Sequence, residues 1–177
     1  MHQNPTLNES LHSIESLKRG DFFLEQGKPC NKIGKLVKGV MRGFVYDNDG
    51  NEITTHFYQE GDMIVASYLP NATIPMTIQA LEDGEISVAN YAKVMSQINK
   101  DLEITAIITR EFQKLNEQLQ SRLVSLLDQD ALEKYECFLQ DYPGLLNRIP
   151  HYYIAQYLGI TPTQLSRVRK QFINKCK

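Results

Sequence analysis

Four side chains within eight residues have the chemistry to read DNA: Thr163, Ser166, Arg167 and Lys170. They recur at spacings of three and four, which puts them on one face of a helix. Hydroxyl, guanidinium and ammonium donors of this kind meet base edges and phosphates. The helix that carries them announces its own start. Thr161 is an N-cap, Pro162 takes the first helical position, and Gln164 completes a capping box with Thr161. Just upstream, Pro150 suits the first turn of another helix. Ala155 is small where two helices cross, and Gly159 supplies the positive φ of a tight turn. Ile154, Leu158, Ile160, Leu165 and Val168 form the apolar set that locks the pair. Together these features predict a helix-turn-helix within residues 148–172, with double-stranded DNA as partner. The competing explanation is a helical hairpin used only for packing or protein contact.

The charge distribution agrees. The net charge of −2 over 177 residues conceals a segment, 142–177, with six basic and no acidic side chains. The rest of the chain is acidic. A basic end on an acidic body suits a polyanion at that end alone.

The elements that must position these residues come earlier. Residues 20–90 read as β, with glycines at 20, 27, 39, 50 and 61 punctuating short apolar and β-branched runs: Ile33–Val37, Val40–Tyr46, Ile53–Tyr58, Met76–Leu81 and Ile86–Ala89. Asp47-Asn48-Asp49-Gly50-Asn51 is a hairpin turn. About eight such strands make a β-roll or jelly-roll. A short helix over 91–99 and a long one over 101–127 follow, then a helix over Asp130–Gln140 stopped by Pro143-Gly144. The long helix carries one apolar stripe: Ile104, Ile108, Phe112, Leu115, Leu119, Leu123 and Leu126. At about 40 Å it exceeds what a small β-roll can cover. Ile104, Ile108, Phe112, Leu115 and Leu119 are therefore expected to face a twin helix across a dimer seam. The alternative is a helix lying on its own domain.

The stretch Ile154-Ala155-Gln156-Tyr157-Leu158-Gly159-Ile160-Thr161, with Leu165-Ser166-Arg167-Val168-Arg169-Lys170, resembles the Crp/Fnr transcription regulators. So do Leu36-Val37-Lys38-Gly39, Gly50-Asn51-Glu52, Glu60-Gly61-Asp62 and Ala80-Leu81-Glu82-Asp83 in the β region. The resemblance covers nearly the whole chain. It implies an α+β protein: an N-terminal double-stranded β-helix resembling a cyclic-nucleotide-binding domain (1–100), a dimerisation helix (101–127) and a helix-turn-helix of winged-helix type (128–177). It implies a homodimer on a near-palindromic site, with RNA polymerase as a further possible partner. Thr163, Ser166 and Arg167 would then read bases, and Thr161, Gln164, Arg169 and Lys170 would position the protein on phosphates. A β-wing after the recognition helix is expected to be missing.

The sensor itself departs from the family. Its cyclic-nucleotide binders hold the phosphate with an arginine and the ribose with a glutamate. Here Ile74 or Pro75 stands at the arginine position and Ala66 or Ser67 at the glutamate position. Residues 43–92 contain eight carboxylates and no Lys or Arg. A phosphate there would lack any charged fork. Cyclic AMP is not expected, and neither is a haem or iron–sulfur cluster, since Cys30, Cys137 and Cys176 reproduce no cluster spacing. His56 is the one histidine between residues 20 and 90, so no metal ligand set exists there. No catalytic constellation stands out, and an enzyme is not expected. Without an apolar run long enough to span a membrane or a secretory leader, the expected location is the cytoplasm. Two alternatives stay open: a β-roll sensing an unidentified small ligand, and a β-roll protein whose helical tail mediates protein contacts.

Overall fold

The structure, a computed structural model, describes residues 12–65, 72–98 and 100–175. The first half is two four-stranded antiparallel sheets. One has the order β1-β8-β3-β6, from β1 (His12–Leu17), β8 (Gly84–Asn90), β3 (Lys32–Lys38) and β6 (Met63–Ile64). The other has the order β2-β7-β4-β5, from β2 (Phe22–Leu24), β7 (Thr77–Ala80), β4 (Met41–Tyr46) and β5 (Glu52–Tyr58). Strands adjacent in the chain mostly lie in opposite sheets, so the chain winds between them as a β-roll does. β1 lies upstream of the region where the sequence signals strands, and it closes the edge of the first sheet against β8.

Inward-facing Phe23, Ile33, Leu36, Ile64, Ile78 and Ile86 fill the space between the sheets, all 3% exposed or less. Gly34 lies on β3 because a Cβ there would collide with Ile86 and come within 2.8 Å of Phe23. The β4–β5 hairpin turns where the sequence places it. The Asp47 carboxylate accepts from the amides of Asp49 (2.9 Å) and Asn51 (2.8 Å), and Gly50 takes φ +82°.

Helix α1 (Tyr91–Met95) is shorter than the expected 91–99. Asp101 caps α2 (Leu102–Asp128), accepting from the amides of Glu103 and Ile104. Asp130 and Glu133 form a capping box that starts α3 (Ala131–Asp141). A single 3₁₀ turn (Leu145–Asn147) leads to α4 (His151–Leu158) and α5 (Pro162–Lys175). Among the described residues no strand follows β8. No helix among them is long and apolar enough to cross a membrane.

Two cores result. The first fills the β-roll and takes in Tyr91, Val94, Ile104 and Ile108 from α1 and α2. The second joins Tyr135, Phe138, Leu145, Ile154, Leu158, Leu165 and Val168 to Val40, Phe57 and Leu81 from the β-roll. The helical end is therefore packed directly against the sheet containing β4 and β5.

Candidate nucleic-acid interface

Helices α4 and α5 meet through Ile154, Ala155, Leu158, Leu165 and Val168, each 4% exposed or less. Gly159 ends α4 with φ +67°, and the Ile160 amide donates to the Ala155 carbonyl at 3.0 Å. The capping box of α5 is formed in both directions. The Gln164 amide donates to Thr161 Oγ1 (3.1 Å), and the Thr161 amide donates to Gln164 Oε1 (2.9 Å). Thr161 and Gln164 thus fix the start of the helix.

Burying Leu165, Val168 and Phe172 on one side turns Thr163, Ser166, Arg167 and Lys170 to the other, and all four are exposed. Ser166 Oγ donates to the Pro162 carbonyl at 3.1 Å, while neither Arg167 nor Lys170 is in an ion pair among the described residues. Arg169 behaves differently. Four residues after Leu165, it lies at the border of the buried face. Its Nη1 sits 3.0 Å from His151 Nδ1, and it hydrogen-bonds Tyr135. It braces α5 against α4 and α3, where the sequence suggests a phosphate contact.

The sheet beneath α4 holds polar residues that no spacing pattern singles out. Arg42 on β4 is 1% exposed. Its Nε and Nη2 donate to Gln79 Oε1 (3.1 and 2.9 Å), and Nη2 also pairs with Glu52. Its guanidinium lies 4.2 Å from the Phe44 ring centre and 3.9 Å from that of Tyr153 on α4. Beside it, Thr54 Oγ1 donates to Gln156 Oε1 at 2.9 Å. Arg148, ahead of α4, reaches back to Glu60 (2.6 Å) and to Glu82. That guanidinium holds the Glu60 carboxyl down to about 2. Strand alternation marks Arg42 as facing away from the β-roll interior. What covers that outer face is a long-range matter that spacing does not encode.

On the other side of β5, His56 and Tyr142 meet at 3.3 Å (Nδ1 to hydroxyl). Burial pushes the imidazole down to about 4, against the opposing pull of Asp62, and raises the Tyr142 phenol well above its usual range. A cavity of about 210 Å³ opens here between β5, α2, α3 and α4.

Of the positions assigned to a phosphate and ribose pocket, Ile74 and Pro75 are described. Ile74 is 3% exposed within the first core and donates its amide to the Lys28 carbonyl, and Pro75 points outward. Ala66 and Ser67 lie outside the described residues. Arg42, the last cation before this region in the chain, is held on the far face of its sheet.

The apolar stripe of α2 divides. Ile104 and Ile108 are 7% and 6% exposed, packed into their own β-roll, so the seam expected of them is corrected: their chain already covers them. Leu115 is half-buried. Phe112, Leu119, Leu123 and Leu127 are 52%, 58%, 58% and 79% exposed.

Comparison with known proteins matches residues 14–101 to the cyclic nucleotide-binding domain model. The chain is 22% identical to the transcriptional activator protein Anr of Pseudomonas aeruginosa, over 94% of this chain and 73% of that one. Its fold is similar to FixK2 of Bradyrhizobium japonicum (TM-score 0.85, 16% identity, 93% of this chain and 86% of that one). It is also similar to a Crp/Fnr-family regulator structure from Eubacterium rectale (TM-score 0.73, 15% identity, 93% and 79%). The matched domain and the shared architecture show that this chain has the fold of the solved Crp/Fnr-family regulator, with a cyclic nucleotide-binding-type β-roll at residues 14–101.

Proposed function

We propose that the protein is a homodimeric DNA-binding transcription regulator that recognises a near-palindromic site and does so without a cyclic nucleotide. The observation that carries this is the exposed, rigidly started face of α5: Thr163, Ser166, Arg167 and Lys170, with neither cation in an ion pair among the described residues. Arg167 reads a base and Lys170 grips a phosphate. The second subunit docks on the exposed stripe Phe112, Leu119, Leu123 and Leu127. The departure from cyclic nucleotides rests on a sensor loop without Lys or Arg, where the phosphate would meet carboxylates and no guanidinium.

Selection of bound sequences from a random DNA pool tests the proposal. The expected product is an inverted repeat, its half-sites about one helical turn, ~34 Å, apart. It is enriched equally with and without cyclic AMP. Arg167→Ala should relax one base position at a cost of about 1–3 kcal/mol, whereas Lys170→Ala should weaken all sequences alike. Enrichment of no sequence, or enrichment only with the nucleotide, would overturn it.

A further inference from the structure

The cavity beside His56 is lined by four charged side chains: Glu117 and Arg122 from α2, Lys134 and Asp141 from α3. None is in an ion pair with any described residue. Nearby, Lys114 is paired with Asp62, Arg148 with Glu60 and Glu82, and Lys175 with Glu136. Arg122 is half-buried, and its guanidinium stacks 3.8 Å from the ring centre of Tyr157 on α4. Its donors keep their in-plane directions open while the ring holds the plane fixed. Burial works against its charge, and partial burial raises the carboxyl of Asp141, an otherwise exposed residue that also lines the cavity. Each is a charge that a ligand of opposite sign relieves. Phe138, Tyr142 and Leu158 supply apolar wall between them.

Size narrows the occupant. At about 210 Å³ the cavity is smaller than the roughly 300–1,000 Å³ of sites for drug-sized ligands. A water's share of liquid is about 30 Å³, so the space holds about seven waters and suits a molecule of about that many heavy atoms. We propose that this cavity is a binding site for a free α-amino acid, its carboxylate on Arg122, its ammonium on Asp141 and its side chain against Tyr142 and Phe138. A small zwitterion satisfies both signs of charge at once, which an anion or a cation alone does not. The walls come from the β-roll (Thr55, His56), from α2 and α3, and from α4 (Tyr157, Leu158). An occupant therefore touches both the sensor half and the helix that supports α5. Its value as an effector rests on the DNA-binding reading above; its binding does not.

The test uses the whole protein without DNA. The twenty common L-amino acids are titrated singly, by calorimetry and by the chemical shifts of the His56 ring and the Arg122 side chain. At least one is expected to bind saturably below about 1 mM and to move both sets of shifts. Its analogues lacking the amino or the carboxyl group are each expected to bind at least about tenfold more weakly. Arg122→Gln should reduce the amino acid to the level of the decarboxylated analogue, and Asp141→Asn to that of the deaminated one. Arg122→Lys should retain part of the affinity and guards against a loss of fold. Arg110→Gln, on the exposed face of the same helix, should bind as the wild type does. No saturable binding by any amino acid, or equal binding of the parent and both analogues, overturns the proposal. Amino-acid binding by a protein that enriches no DNA sequence leaves the site standing and removes the DNA-binding function instead.

Discussion

The two ends of α2 share one apolar periodicity and meet different fates. Near its start, Ile104 and Ile108 are sealed inside the β-roll core. Further along, Phe112, Leu119 and Leu123 keep half or more of their surface. Periodicity shows that a face will be covered but does not name what covers it. The β-roll core takes in only the first two turns or so, although its rim reaches on to Lys114 and Leu115 through Asp62 and His56. Beyond it the helix, 27 residues and about 40 Å long, lines the cavity with Leu115 and Leu119 and leaves Leu123 and Leu127 exposed. One segment belongs to folding, and the other is the surface on which the proposed second subunit docks.

The sharpest way to break that division is Ile108→Ala. The truncation leaves a cavity in the first core and should cost about 2–5 kcal/mol in urea unfolding. A loss under about 1 kcal/mol would show that the β-roll does not depend on the start of α2.

A second prediction probes the boundary, where His56 faces Leu115 with Asp62, Lys114 and Arg122 around it. The imidazole titrates near 6.5 when unfolded and about 4 when folded, so the folded state holds it neutral. Between those values the unfolded chain binds the proton first. Stability is therefore intact above pH 6.5 and is lost as the pH falls towards 4. The loss reaches up to about 3 kcal/mol. Denaturation midpoints measured across that window should flatten in His56→Gln. An unchanged slope in the variant would assign the acid sensitivity elsewhere.

The smallest effect on folding should come from Leu119→Ala, within about 0.5 kcal/mol for the isolated protomer, as expected of a surface position. The same variant should weaken self-association in sedimentation equilibrium, and Leu119→Asp should abolish it. If Leu119→Ala destabilised the fold as much as Ile108→Ala, the two ends of the helix would not differ as described.

Local chemistry made much of the fold legible. The Asp47–Asn51 turn, the Gly159 turn and the Thr161–Gln164 box each lie within a few residues of chain, where propensity and capping decide. Thr163, Ser166, Arg167 and Lys170 were legible too, because burying Leu165 and Val168 dictates the opposite face. Arg169 was not. Its partners His151 and Tyr135 stand 18 and 34 positions away, and spacing alone cannot distinguish a brace from a phosphate contact. The same holds for Arg42. In sequence it is one more surface cation on a strand, and only the docking of α4 buries it. The stripe of α2 was legible as apolar but not as two stripes, because its division depends on how far the β-roll extends.

The buried Arg42 also determines how the two halves can separate. Its hydrogen-bond and ion-pair partners, Gln79, Thr54 and Glu52, all belong to the β-roll. The helix-turn-helix contributes only the face of Tyr153 and, next door, the amide oxygen of Gln156. If α4 lifts away, no charge is orphaned, and the guanidinium keeps its carboxylate while trading an aromatic ring for water. Among the described residues Arg148 is the ionic tie that crosses from the segment before α4 to Glu60 and Glu82, and its exposed position leaves it open to screening by salt. The contact is thus closed mainly by the apolar core that joins Val40, Phe57 and Leu81 to the helices, with a solvent-facing clasp at its rim, and ionic strength loosens the clasp alone.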